Sequence, residues 1–389
     1  VSEAASGDLA LVFSGGGARA AWQVGFLRYL ARRFPELRVP VITGVSAGAI
    51  NAIHVASWAG SFAERVEHLT RLWHKLTIEQ VFRVDRASLL RHMVRWATKL
   101  TMPLPPPSRE LRGLVDTAPL RRFLAAGLTT EDGSLPGIER NRAAGRIRAV
   151  ALTGTEYASG RNVSWCQGDG FEPWVRPHRM GVRTTLRLEH ALASSALPLF
   201  FPAVHVGEGW FGDGGIGEHA PLAPAIHLGA ERILALSTRW RGAREGAPGT
   251  NDYPPPAQVL GVLFNAVFLD LLDQDAQNLE RINALLRGAD RPASMAGLRL
   301  IRTLVVRPSR DLGPLAVAFE PKLPRFFRAL VRRLGTREAT SPDLVSLLLF
   351  QPDYLKRLIA IGEADAEARA EEIERFLVGD GPVETAIPG

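Results

Sequence analysis

The strongest constraint on the fold lies in the first 58 residues. Residues 9–13, Leu-Ala-Leu-Val-Phe, form a continuous apolar run that stops at glycines, the pattern of a short strand buried on both faces. After the glycines, Trp22, Leu27, Leu30 and Phe34 recur mostly three or four apart, and Pro35 follows. That spacing gives an amphipathic helix with a proline stop. Val39 to Thr43 reads as a second strand, and Ala47 to Trp58, small and apolar, as a second helix. Strand, helix, strand, helix implies parallel pairing through right-handed crossovers, and so an α/β fold.

The remaining chain departs from that alternation and returns to it. Residues 60–130 are amphipathic and helical in pattern, interrupted by the prolines of Pro103 to Pro107. They read as a helical cap inserted over residues 60–145. The sheet resumes at Ile147 to Leu152 and Asn162 to Trp165, and a helix follows near Leu186 to Ser194. Val204–Val206 and Trp210–Phe211 could pair as a hairpin. Helices are expected at Ala220 to Leu228 and Ala257 to Leu286, and strands at Arg232 to Ser237 and Thr303 to Val306. A second proline cluster, Pro254 to Pro256, reads as a stiff connector. Residues 322–377 are largely helical in pattern. We therefore expect a core over 8–240 and a mostly helical region over 241–389 packed on it.

Composition narrows the function classes. With 46% hydrophobic residues in 389, the chain has ample material for a large core. The single cysteine, Cys166, cannot form a disulfide within the chain and argues against cysteine-rich metal sites. No apolar run is long enough to span a membrane. The opening VSEAASGD shows no secretory signal, although a processed N-terminus would read the same. The expected location is cytoplasmic or peripheral to a membrane. The net charge of +7 suits an anionic surface or simple solubility, and nothing resembles a nucleic-acid-binding motif.

Three short motifs carry chemistry. Gly44-Val45-Ser46-Ala47-Gly48 is a G-x-S-x-G at a strand-to-helix junction. A nucleophilic serine needs a tight turn that exposes Oγ, and flanking glycines let backbone approach. The alternative is an ordinary serine N-cap. Gly15-Gly16-Gly17-Ala18-Arg19 lies between the first strand and first helix, where unobstructed N–H groups can hold an anion. Gly15, Gly17 and Ala20 also fit a dinucleotide fingerprint, with Glu36 as the ribose-binding acid. Glu36, however, precedes the second strand, whereas that acid belongs at the strand's end, which Ser46 occupies. A P-loop is excluded, since no Gly-Lys-Ser/Thr follows. The third motif is Asp213-Gly214-Gly215, which alone reads equally as a hairpin turn.

A conventional triad would need a histidine after the acid, and only His219 and His227 qualify. His227 falls within a helical apolar stretch, and His219 reads as a capping or loop residue near a helix start. His54 reads as a packing residue. No histidine or cysteine spacing suggests a metal.

Together and in this order, the three motifs resemble those of the patatin-like phospholipases. That family combines a G-G-G-x-R/K-G loop, a G-x-S-x-G elbow and an Asp-Gly-Gly/Ala motif. Residues 191–204, ALASSALPLFFPAV, also look like the family's loop between elbow and aspartate. The resemblance covers roughly residues 8–240. It implies a three-layer α/β/α fold with a mainly parallel central sheet, a helical cap insertion and a helical C-terminal extension. It further implies serine acyl-ester hydrolysis by a Ser46–Asp213 dyad without cofactor or metal. The backbone from Gly15 to Arg19 would form the oxyanion hole through Gly16 and Gly17, joined by Ala47. Gly44 and Gly48 would shape the elbow, and Gly214 and Gly215 the aspartate turn. Two positions depart from the family pattern: Ala20 stands where the family usually has glycine, and His219 where many members have asparagine. The implied partner is a lipid or acyl ester, with lysophospholipids, neutral lipids, simple esters and acyl transfer open on the same dyad. Leu197, Leu199, Phe200 and Phe201 could line an acyl groove or belong to the core. The piece Arg325–Arg333, RFFRALVRR, could meet an anionic membrane or pack with a solvated basic face.

Overall fold

Two apolar strands at the start of the chain set the middle of the sheet: β1 (Leu9–Phe13) and β2 (Val41–Val45), parallel and in register from Ala10 opposite Val41 to Phe13 opposite Gly44. The structure, a computed structural model, describes residues 8–83, 113, 115–128, 132–198, 200–242, 271–288, 297–323, 328 and 343–378. β2 starts after Pro40, which has no N–H to give to a ladder, and runs two residues past the expected Thr43, ending directly before Ser46.

α1 (Ala21–Arg33) connects β1 to β2, and α2 (Ala47–Ser57) follows β2. The segment after α2 is helical over most of its described residues: α3 (Phe62–Lys75), α4 (Ile78–Val81), α5 (Ala118–Leu128) and α6 (Pro136–Ala143). α3 begins with a reciprocal cap in which Ser61 Oγ accepts from Glu64 N–H and Glu64 Oε2 accepts from Ser61 N–H. The sheet then continues with β3 (Ala149–Glu156), β4 (Asn162–Gly168), β5 (Trp174–Arg176) and β6 (Arg179–Arg183). After α7 (Leu188–Ser194), the expected hairpin forms from β7 (Val204–Val206) and β8 (Gly209–Asp213). Then come α8 (Ala223–His227), β9 (Arg232–Leu236), α9 (Leu272–Gly288) and β10 (Arg302–Val306). Beyond them lie the short helix α10 (Gly313–Val317), α11 (Asp343–Leu348), α12 (Pro352–Ala368) and α13 (Ala370–Val378).

The strands run in the order β10-β9-β1-β2-β3-β4-β6-β5, and the first five are mutually parallel. β8 pairs antiparallel with the far end of β3, Gly154 opposite Asp213. β1 is a topological switch point: the chain leaves it toward β2 on one side and returns as β9 on the other. In open α/β sheets, the crevice beyond the strand ends at such a point is where ligands bind.

Successive strand residues enter two cores. Leu9, Leu11 and Phe13 join the large cluster under α1, α2, α3 and α12, while Ala10 and Val12 face a smaller one beneath α8 and α9. The C-terminal helices are closely fitted. A Cβ on Gly25 of α1 would lie 1.9 Å from the carbonyl oxygen of Ile359, and one on Gly362 of α12 would lie 2.0 Å from that of Trp22. The two helices therefore approach at glycine on both sides. Trp22 Nε1 donates to Asp365 Oδ2 at 2.7 Å across the same seam.

Some expectations differ in detail. β5 and β6 were not expected, and α8 is shorter than Ala220 to Leu228. Both proline clusters, the part of the Ala257 to Leu286 helix before residue 271, and Arg325–Arg333 apart from Arg328 lie outside the described residues. No described helix is long and apolar enough to cross a membrane.

Candidate active site

Ser46 sits between the end of β2 and the first turn of α2 with φ 56° and ψ −133°, the one non-glycine with positive φ among the described residues. Side chains avoid this conformation, so surrounding contacts must hold it. They do so from several directions. Ser46 N–H donates to Ser194 Oγ at 3.0 Å, and that hydroxyl donates onward to the Thr153 carbonyl at 2.6 Å. The elbow glycines are there for backbone approach. A Cβ on Gly44 would lie 2.5 Å from the Gly48 carbonyl oxygen, and one on Gly48 would lie 2.4 Å from that of Ser14.

Asp213 ends β8 and is 1% exposed. Ser46 Oγ donates to Asp213 Oδ2 at 2.6 Å, and Gly215 N–H donates to Oδ1 at 2.9 Å. The strand end is fixed by Asp213 N–H to Ala196 O and by Thr155 Oγ1 to Asp213 O, each 2.9 Å. Gly214 passes so close to Thr153 that a Cβ would lie 2.0 Å from its carbonyl oxygen. Burial pushes the Asp213 carboxyl up to about 7, and the hydrogen bonds from Ser46 and Gly215 pull the other way.

The glycine loop turns sharply at Gly16 (φ 152°) and Gly17 (φ 54°), then tightens into a single 3-10 turn, Gly17–Ala20, that leads into α1. A Cβ on Gly15 would come within 2.9 Å of Ser46 Cβ, so loop and elbow are in direct contact. Ala20, where the family pattern has glycine, adopts φ −62° and ψ −12°, a helical geometry open to any residue. Ala18 is buried in the core, and Arg19 is 8% exposed with its Nε donating to Ser346 Oγ at 2.5 Å.

Several supports carry no motif. Thr238, just past β9, donates Oγ1 to Gly15 O at 2.5 Å, and its N–H donates to Ser14 Oγ at 3.1 Å. Under the loop, Gln23 Nε2 donates to Ser14 O and Leu236 O, both at 2.9 Å. Asn51 Nδ2 donates to Gln23 Oε1 at 2.9 Å and Trp73 Nε1 to Asn51 Oδ1 at 2.8 Å. The available signal was polarity out of place: an amide on each of two apolar helix faces, and a hydroxyl after each of two apolar strands.

Loop, elbow and Asp213 share one cavity of about 130 Å³. Its walls are mostly apolar: Leu72 and Trp73 from α3, Phe123 and Leu124 from α5, Leu197, and Leu347 with Leu348 from α11. Phe200 and Phe201 pack against the core instead, and Leu199 lies outside the described residues. The histidines stand apart. His219 is exposed with its ring against His178. His227 stacks on Trp174 and is pushed down to about 4 by burial. His54 is buried beside His68 and pushed down to about 3. Cys166 is buried, and its thiol is pushed up to about 12. Among the described residues, no group of three or more His, Cys, Asp or Glu could hold a metal ion.

Residues 11–226 match the sequence profile described as patatin-like phospholipase. The chain belongs to that family. Similar solved structures include human GIVD cytosolic phospholipase A2 (12% identity, TM-score 0.49, 95% of this chain and 60% of that one). VipD from Legionella pneumophila gives 11%, 0.39, 95% and 68%. The type III effector ExoU of Pseudomonas aeruginosa gives 16%, 0.37, 95% and 54%. The patatin-like chain thus spans less than two thirds of the human and Pseudomonas proteins. No curated protein sequence matches it. The profile match ends before β9, so Thr238 and Ser346, which touch the glycine loop, lie outside it.

Proposed function

We propose that this patatin-like protein hydrolyses acyl esters of lipids, with Ser46 as nucleophile and Asp213 as general base. The observation that carries the reading is the 2.6 Å hydrogen bond from Ser46 Oγ to a buried carboxylate at the floor of an apolar cavity. A carboxylate in water is too weak a base for a serine hydroxyl, and removing that water raises its basicity.

In the reaction, Oγ attacks the ester carbonyl carbon while its proton passes to Asp213. The carbonyl oxygen becomes an oxyanion, received by backbone N–H groups of Gly16, Gly17 and Ala47 at the starts of two helical segments. Losing one such donor typically costs about 3 kcal/mol of transition-state stabilisation. The intermediate collapses as the C–O bond breaks, and the leaving alkoxide takes the proton from Asp213. Water then attacks the acyl-serine, again giving its proton to Asp213, and fatty acid leaves as Ser46 is restored. The apolar walls suit an acyl chain.

The test is labelling by a fluorophosphonate probe with mapping of the labelled peptide, beside turnover of acyl esters. Label on Ser46, and a loss of about 1,000-fold or more in both Ser46→Ala and Asp213→Asn, is expected. Near wild-type turnover in either folded variant would remove the dyad. Product analysis over head groups and chain lengths, with and without an acceptor alcohol, separates phospholipase, lysophospholipase, neutral lipase, esterase and acyltransferase.

A further inference from the structure

We infer that Ser46 and Asp213 do not work with the family-matched stretch alone: Ser346, on α11, is a positioning residue for the glycine loop and acts through Arg19. The inference rests on the proposed role of that loop. Arg19 follows the loop's glycines directly, and its guanidinium is turned inward and buried rather than toward solvent. Its Nε donates to Ser346 Oγ at 2.5 Å, across 327 positions of sequence, and Ser346 is fully buried.

A second contact, made by backbone, presses the same two segments together. Gly17 stands where a Cβ would be 2.1 Å from the Leu347 carbonyl oxygen, so the loop lies flush on the residue after Ser346. The side chains of Leu347 and Leu348 meanwhile wall the cavity. One segment thus fixes the loop's height over Ser46 and bounds the space for an acyl chain. A donor that swings by a fraction of an ångström no longer meets the developing oxyanion, whereas ground-state binding by apolar walls is little changed. Loss of the Ser346 hydroxyl should therefore lower kcat rather than raise KM.

The experiment uses the full chain with Ser346→Ala, Ser346→Thr and Ser346→Val. Ser346→Ala is expected to lower kcat on a soluble acyl ester by about 10- to 100-fold, with KM within about threefold and the phosphonylation rate of Ser46 reduced by the kcat factor. Ser346→Thr restores a hydroxyl and is expected near wild type. Ser346→Val matches threonine in shape without the hydroxyl, and is expected to behave as alanine. Threonine and valine variants that are equally impaired would overturn the inference, as would wild-type kcat in Ser346→Ala. Amide hydrogen exchange over residues 14–20 is read on the same samples and needs no turnover. Faster exchange there in Ser346→Ala is expected, and unchanged exchange would overturn the clamp. A wild-type chain that takes no fluorophosphonate would count against Ser46 as nucleophile, and the exchange result would still decide the clamp.

Discussion

Burying Asp213 removes water from its carboxylate and leaves Ser46 Oγ and Gly215 N–H as the donors that stabilise its charge. Two pH effects follow from a carboxyl pushed up to about 7. General-base catalysis needs the ionised form, so kcat/KM should rise with pH through about 7 and level off above it, as a pH–rate profile on a soluble ester would record. Stability moves the opposite way. The folded state holds the proton more tightly than the unfolded chain, whose carboxyl titrates near 3.8. Stability from the neutral form is therefore complete below about 3.8, falls as pH rises toward about 7, and is flat beyond. Asp213→Asn should be progressively more stable than wild type across that window, read as the difference in Tm against pH. A constant difference would contradict the burial argument. Ser46 itself holds a positive φ that glycine tolerates freely. Ser46→Gly should thus be more stable than Ser46→Ala by about 1–3 kcal/mol in urea unfolding, while both are inactive.

At the scale of elements, the seam between α1 and α12 is set by glycine. Gly25→Ala or Gly362→Ala would force a methyl into a carbonyl oxygen of the facing helix and should cost about 1–3 kcal/mol in denaturant unfolding. β1, β2 and β9 were legible because central parallel strands are apolar along most of their length, and their turns are marked by glycine or a following helix pattern. The β7–β8 hairpin was legible from its Gly-Glu-Gly turn. β5 and β6 were not: Trp174–Arg183 is short, broken by Arg176-Pro177-His178-Arg179, and lies at and next to the sheet edge, where solvent removes the need for a continuous apolar pattern. The three motifs could be found because close backbone approach leaves glycines behind. Ser194 and Ser346 leave no such mark, since one hydroxyl in a helix looks like any other until the fold brings it to its partner.

At the scale of the whole molecule, described elements after β9 complete both the sheet and the core. β10 extends the sheet beyond β9, and Tyr354, Leu355, Leu358 and Ile359 of α12 are buried in the main core. Each such side chain is worth about 1.5–3 kcal/mol of burial, so together they match the net stability of a typical domain. A chain ending at residue 342 should lose cooperative unfolding and become protease-sensitive. A truncated form with native-like circular dichroism and a sharp thermal transition would show that the first part of the chain stands alone.

Asp213 enters the sheet through β8, 167 positions after the serine it touches, and the seat for Arg19 comes more than a hundred positions later still. During synthesis Ser46 leaves the ribosome well before Asp213, and before the residue proposed to support its loop. Under the proposed chemistry, a growing polypeptide would be harmless to the lipids around it until synthesis had passed the last of these parts.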